Sequence, residues 1–344
     1  MTQGTKQRKA PFFQPTSVSG VVSRDGLEPN ERQEGFLPFA TSASTHVTYL
    51  RQFVEQGGKA VQDYKARSYR HLSVKAGMHI LDVGCGIGAD LLPLARRVGK
   101  HGLVTGLDTD AERLREAGKV LGRRSNIVLV EGNAEEMPFV GGSFDRVRAD
   151  RTFLHIPDLR KALAEVGRVL RSGGIFAAVE PDWGSLALYP ASPSGGDDAH
   201  TWSLIVQAIQ QQLAHPFIGR QLASLLQSDE RTHWAEMQIE VRAYVLRSWQ
   251  VADAVLQITQ AAQALAQEEP SFAQEASAWL QTIDASAERG EFFASLPLFF
   301  MSARKEESRV LSAPLDNQSN QQLRWQEGLP LLEERKTKEA RKEK

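Results

Sequence analysis

Three glycines alternate in the stretch GCGIGA, at positions 84, 86 and 88, between the apolar run MHILDV and the segment DLLPLARR. Positions without side chains at a strand-to-helix turn let a ligand lie against the backbone. A following helix, expected from about Ile87, points unpaired amides at that ligand. Such a loop holds a nucleotide, but its glycines fit two classes, because GCGIGA also satisfies the dinucleotide fingerprint with Ala in the last place. Two carboxylates separate the classes. Asp82 lies just before Gly84, where it would repel a pyrophosphate and attract an ammonium and a sulfonium. Asp108 ends the next apolar run, GLVTGLD, about twenty residues on, where a carboxylate accepts ribose hydroxyls in either class. Asp82 therefore favours S-adenosyl-L-methionine over a nicotinamide dinucleotide.

Further candidates follow the later apolar runs. His155, in RTFLHIPD, has the side chain suited to taking a proton from a hydroxyl or amine near neutral pH; it could equally order its loop. Asp150 and Arg151 stand at a strand's carboxyl end, where open α/β sheets bind ligands. Arg151 could hold a carboxylate of cofactor or substrate, or pair with Asp150 or Asp82. In VEPDW, Glu180 is a second candidate for catalysis, and Asp182 and Trp183 are candidates for a substrate pocket. Trp183 could stack on a substrate, face a sulfonium, or simply pack. Tyr64 and Tyr69 precede the first strand; Tyr64 could close over the methionine end of the cofactor or belong to the core. Cys85 fits between two glycines as a small residue rather than as a nucleophile. His46, His200, His215 and His233 are scattered, so no metal site is expected.

These residues need a scaffold. The chain has 344 residues, 41% hydrophobic and 24% charged, with a formal net charge of −1, an ordinary globular composition. Near-neutral charge gives no electrostatic case for nucleic acid or an anionic membrane. A single cysteine excludes an internal disulfide framework. With no apolar run of membrane-spanning length and no leader pattern, a cytoplasmic protein is expected. Short buried-type strands are expected over 78–84, 102–108, 126–132, 143–150 and 174–180, with helices between the first three and between the last two. In DLRKALAEVGRVLRSGG, residues Leu159, Ala162, Leu163, Val166, Val169 and Leu170 form one stripe, which Gly173 and Gly174 stop. This alternation predicts an α/β fold, a parallel sheet covered on both faces.

The last third is richer in helix. EMQIEVRAYVL alternates so that Met237, Ile239, Val241, Ala243 and Val245 should face inward as a strand. Amphipathic helices follow, and EFFASLPLFFMSARK reads as a last strand that Pro297 should confine to an edge or make irregular. The division expected is a flexible tail over 1–35, cap-forming helices over 36–75, a nucleotide-binding core over 76–190, a helical cap and substrate region with the last two strands over 191–304, and a charged tail over 305–344.

From about Tyr64 to Leu186 the sequence resembles the class I S-adenosylmethionine-dependent methyltransferases, in particular the small-molecule branch of the ubiquinone/menaquinone-biosynthesis type. LDVGCGIG is similar to that family's first motif and TGLDTD to its second, with Asp108 on the ribose and Thr109 beside it. EGNAEEMPF is similar to the third, in which Asn133, Ala134 and Glu135 would edge the adenine; SFDRVRADRTFLHIPDL and RVLRSGGIFAAVEPDW are similar to the fourth- and fifth-strand motifs. The resemblance implies a Rossmann-like seven-stranded, mostly parallel sheet with the seventh strand antiparallel. The last two strands would lie near 237–246 and 292–304, separated by an unusually long, mostly helical insertion that would pack with the N-terminal and 198–228 helices as a cap.

It also implies in-line methyl transfer to an O, N or C atom of a small apolar or aromatic metabolite, as in secondary metabolism, with S-adenosyl-L-homocysteine as product. An Asn-Pro-Pro-aromatic sequence, which amino-methylating nucleic-acid enzymes carry after the fourth strand, is replaced by ADRTFLH. No nucleic-acid or membrane partner is expected, and a homodimer is left open. The alternatives are an NAD-dependent oxidoreductase and a protein that binds S-adenosylmethionine without methylating, as a cyclase or for binding alone.

Overall fold

The computed structural model describes residues 58–190 and 198–306. The tail expected over 1–35, the helical pattern before residue 58 and nearly all of the charged C-terminal run lie outside the described residues.

Helix α1 (Gly58–Leu72) precedes β1 (His79–Val83). Then α2 (Leu91–Val98), β2 (Leu103–Asp108), α3 (Ala111–Leu121) and β3 (Ile127–Glu131) alternate. β4 (Phe144–Asp150), α4 (Leu159–Val169) and β5 (Leu170–Pro181) complete the alternating part. A short β6 (Ala187–Tyr189), helices α5 (Asp198–Gln211) and α6 (Ile218–Gln227), and the long β7 (Trp234–Leu246) follow. Helices α7 (Trp249–Leu256), α8 (Ile258–Glu268) and α9 (Ala273–Glu288) lead into β8 (Phe293–Lys305). The helix starts follow local chemistry: Asp110 accepts from the amides of Glu112 and Arg113, and Asp158 from that of Lys161.

The strands form one sheet in the order β3-β2-β1-β4-β5-β8-β6, with β7 paired to β8. β1 to β5 are parallel; β8 runs antiparallel to β5, and both β6 and β7 run antiparallel to β8. The fold is therefore mixed α/β with a mostly parallel sheet. Alternate residues of each central strand feed opposite layers, because strand side chains alternate in direction. Ile80 and Ala177 pack toward α1, α2 and α3 with Leu72, Leu94, Leu114 and Leu121. Leu81, Val83, Phe176 and Ala178 pack toward α4 and α6 with Leu163, Val166, Leu222 and Leu226.

A further apolar cluster joins α5 and α7–α9 to the sheet. Ile205, Leu256, Ala261, Phe272, Trp279 and Ile283 bury against Tyr244, Leu246, Phe292 and Phe300, and Tyr64 of α1 belongs to it. Helix α6 lies instead with α4, so the 198–228 helices divide between two layers rather than packing as one unit.

The described sheet has eight strands rather than the expected seven, because the short β6 adds to β8, and α4 ends at Val169, so Gly173 and Gly174 lie inside β5 and do not stop the helix. Three further local expectations differ from the structure. Helix α2 begins at Leu91, not near Ile87, because Gly84, Gly86 and Gly88 all hold positive φ (68°, 53° and 76°) and keep the chain out of the helical region. Pro297 sits in an interior strand, flanked by β5 and β7. It is tolerated at the point where the β5 ladder has ended, at Pro181–Leu298, and the β6 ladder, from Ser295, has yet to begin. Pro297 lacks an N–H, and its carbonyl accepts from the Asp182 amide at 3.0 Å. The third difference is β7: Tyr244 and Leu246 are buried, whereas Ile239, Val241, Ala243 and Val245 are exposed and Met237 is half-buried. The apolar alternation is there, but α1 and the buried cluster take the opposite face.

Candidate active site

The carboxyl ends of β1, β2, β4 and β5 converge where the strand order reverses, the crevice in which such sheets hold ligands. The amides of Gly84 and Cys85 both donate to the Leu107 carbonyl, at 2.7 and 3.0 Å, which folds the glycine loop back on β2. The Gly86 amide donates to Asp108 Oδ2 at 2.8 Å and that of Asp110 to Asp108 Oδ1 at 3.0 Å. A carboxylate has about four lone-pair positions, so Asp108 organises the loop and keeps capacity for more donors. A Cβ on Gly84 would come within 2.5 Å of the Thr152 side chain, and one on Gly106 within 2.7 Å of Cys85 Sγ. Cys85 is buried against Gly106, and burial pushes its thiol well above the ordinary value, so it is a packed side chain without thiolate character.

Beneath the loop lies a buried ionic cluster that the sequence reading only partly anticipated. Arg148, from the middle of β4, donates to Asp82 Oδ1 at 2.7 Å and to Asp150 Oδ2 at 2.6 Å, and lies 3.3 Å from Asp90 Oδ2. Lys65 of α1 bridges Asp90 and Asp150 at 2.6 and 2.7 Å. The Tyr69 hydroxyl donates to Asp90, and the Tyr64 hydroxyl to Asp150 Oδ2 at 3.1 Å. Burial alone would raise all three carboxyls. Lys65 and Arg148 outweigh it at Asp150 and Asp90, holding both below the usual range. At Asp82 burial wins over Arg148, and the carboxyl is pushed up to about 6. Burial likewise raises the Tyr64 hydroxyl to about 12, so it stays a donor.

The chain leaves β4 through Arg151, whose φ of 55° is unusual for a residue with a side chain. Its amide donates to the Val179 carbonyl at 2.8 Å. The next two amides, of Thr152 and Phe153, both donate to Glu180 Oε1, at 3.0 and 2.8 Å. Glu180 thus shapes the turn that carries His155. Glu180 is buried, and burial pushes its carboxyl up to about 8 in spite of these donors. Its Oε2 has no hydrogen-bond partner in the described structure. His155 is exposed, and crowding by surrounding protein, then Arg113 and Arg151, pushes its imidazole below the ordinary value. It is neutral at pH 7.

The remaining candidates fall on the rim. Thr109 is exposed beside Asp108. After β3, Asn133 Oδ1 accepts from the Glu135 amide at 2.9 Å, Glu135 Oε1 accepts from the Asp158 amide at 2.7 Å, and Ala134 is buried. Asp182 accepts from Gly184 N, Ser185 Oγ and Arg220 Nε, which ties β5 to α6. Trp183 packs against two apolar clusters, and its buried indole N–H has no partner in the described structure. Arg148, Lys65, Asp90 and Thr152 were missed. A signal existed for Arg148, since a charged residue inside a strand covered on both faces must be paired. None existed for Lys65, whose partners lie 25 and 85 residues away.

Residues 81–178 match the family model described as a methyltransferase domain. Over 304 residues the chain is 32% identical to an uncharacterized 37.1 kDa protein in transposon TN4556 of Streptomyces fradiae, covering 87% of this chain and 82% of that protein. It is 34% identical over 126 residues to demethylmenaquinone methyltransferase of Staphylococcus aureus, a match covering 37% of this chain and 52% of that protein. This chain thus spans about half the length of that methyltransferase. In fold it is similar to the YcgJ protein of Bacillus subtilis, with a TM-score of 0.50 and 17% identity, over 72% of this chain and all of that one.

Proposed function

The chain belongs to the class I S-adenosylmethionine-dependent methyltransferases, and from that membership we propose that it methylates an O, N or C atom of a small apolar or aromatic molecule. One observation carries the reading: beneath a three-glycine loop whose middle amide is tied to Asp108 lies the buried carboxylate Asp82, which would repel a pyrophosphate. Membership of this family does not favour the NAD-dependent alternative or binding without methylation.

The residues fit the cofactor. The positive-φ glycines of the loop Gly84, Cys85, Gly86 and Gly88 turn its backbone toward the crevice, where its amides would border a ligand, while Thr152 fills the side-chain space at Gly84, and Leu121 and Ala117 that at Gly88. Asp108 would take the ribose hydroxyls with its remaining lone pairs, and Thr109, Asn133, Ala134 and Glu135 would border the adenine. The cluster of Asp82, Asp90 and Asp150 holds three carboxylates against two buried cations, Lys65 and Arg148, which supports a positively charged methionine end. Asp82 would act there as a buried charge, and Tyr64 would bear on that end through Asp150. Arg151, 3.4 Å from Asp150 at the rim, would meet a carboxylate.

S-adenosylmethionine, when bound, supplies a methyl group on a sulfonium, a good leaving group for in-line displacement. The chain's own work is then to hold the acceptor in line and to exclude water. His155, neutral at pH 7, would accept a proton from an acceptor hydroxyl or amine. Glu180 would position the 152–155 turn on which His155 stands. Trp183 would form an apolar wall of the acceptor pocket, and Asp182 would fix that wall through Arg220. The near-neutral charge supports an acceptor other than nucleic acid. Among the described residues no helix is long and apolar enough to cross a membrane, and we take the cytoplasm as the place of action.

The test is calorimetric titration of the full chain with S-adenosylhomocysteine and, separately, NAD. Binding of the first and not the second is expected; tight NAD binding with no S-adenosylhomocysteine binding would overturn the reading. A methyl-tritiated cofactor offered with a panel of phenols, amines and quinols then identifies the acceptor class.

A further inference from the structure

Strand β7 is apolar on a side that the described chain leaves in water. Met237, Ile239, Val241, Ala243 and Val245 share one face, and Ile239, Val241 and Val245 are 54%, 48% and 44% exposed. The other large exposed hydrophobics, Val120, Val140 and Tyr189, are scattered one by one. Among the described residues β7 pairs with β8 alone, so it is an edge of the sheet. From Gln238 to Leu246, past a bulge at Glu236, β7 is a regular edge strand with β-branched side chains, a template for adding another strand.

The charges indicate which strand fits. Glu240 and Arg242 flank Val241 on the opposite face, where Glu240 pairs within its own chain with Arg67 at 2.7 Å, His71 at 3.2 Å and Arg242 at 2.7 Å, so a partner's Arg242 would extend this network. Antiparallel pairing of two β7 strands about a two-fold axis through Val241 sets Glu240 opposite the partner's Arg242, twice over. The same register sets Val241 beside the partner's Val241 and Ile239 beside the partner's Ala243. The two apolar stripes then fuse side by side on one face. The neighbouring symmetric registers, about Glu240 or about Arg242, put like charges opposite each other, which is unfavourable. An isologous contact of this kind closes as a dimer and covers the β7 edge of both copies.

We propose that the protein forms a homodimer by antiparallel pairing of β7 with the β7 of a second copy, with Val241 on the two-fold axis. The contact is independent of the reading of the catalytic site. It fuses the two sheets into one.

Sedimentation of the full chain at micromolar concentration tests it, with S-adenosylhomocysteine affinity measured on every variant as the check of folding. The wild type is expected as a dimer. R242E, at a side chain 61% exposed, sets carboxylates opposite the partner's Glu240 and is expected to weaken the dimer by about tenfold or more. E240R does the same with guanidiniums. An equimolar mixture of R242E and E240R carries opposite charges at both crossings and is expected to form a heterodimer. V241K brings two ammonium groups together on the axis and is expected to be monomeric. A monomeric wild type, a dimer unmoved by R242E and V241K, or variants that separate but do not combine would each overturn the proposal.

Discussion

Asp108 accepts from two amides of its own chain and would accept from a ligand besides, so its removal acts twice. Asp108→Ala is expected to weaken S-adenosylhomocysteine binding by about tenfold or more, read by calorimetry; unchanged affinity would remove the ribose assignment. Glu180 shows how a buried acid couples to pH. Its carboxyl titrates near 8 in the fold against an ordinary 4.5, so the folded chain keeps a proton that the unfolded chain releases. The stability this proton contributes is complete below 4.5 and is lost as pH rises toward 8. Glu180→Gln is neutral throughout and still accepts from Thr152 and Phe153. It is therefore expected to melt above the wild type at pH 8, with the gap closing as pH falls toward 4.5; a gap independent of pH would contradict the buried-acid account. His155 is held below the ordinary 6.5. Its ring carbon resonance is expected to show no inflection at 6.5, and a midpoint there would show that neither the surrounding protein nor Arg113 and Arg151 acts on it.

At the scale of elements, helix α1 joins the nucleotide-binding sheet through a few long-range contacts. Leu72 and Tyr69 pack into one layer and Tyr64 into another. Arg146 of β4 holds the helix's end through the Leu72 carbonyl at 2.8 Å. Lys65 supplies the electrostatic part, and its loss would leave Asp90 and Asp150 buried with Arg148 as their remaining strong partner. Lys65→Met is expected to cost about 3 kcal/mol in urea unfolding and to speed amide exchange along α1. Exchange unchanged from the wild type would mean that apolar packing alone holds the helix. Element type and order follow closely from periodicity: five of the six residues of the expected stripe are buried on α4, and the sixth, Leu170, is buried as the first residue of β5. The α2 start was misplaced because turn conformations at consecutive positive-φ glycines do not show in apolar spacing. Pro297 was misplaced because its tolerance depends on where two neighbouring ladders stop.

Over the whole molecule, the late helices and the sheet share a core, since Val179, Leu298 and Phe300 of the sheet bury with Trp279 and Ile283 of α9. Trp279 is 1% exposed, with its ring stacked on Trp202 at a centroid distance of 5.9 Å. Trp279→Ala is expected to cost about 3–5 kcal/mol and to lower a single cooperative urea transition. Two transitions would show that the late helices unfold by themselves. What the sequence determined by itself was local: the glycine loop, the carboxylate ending β2, the alternation of strands and helices, and with them the family. Each rests on spacing within a few turns of chain. Only the tertiary structure decided what Asp82 touches, because Arg148 lies 66 residues away and meets it only once β4 is laid beside β1. The same holds for β7, whose alternation requires one apolar face but cannot say which face the packed helices will cover. Strand adjacency and layer choice are set by the sum of many distant contacts, and no single stretch of sequence carries them.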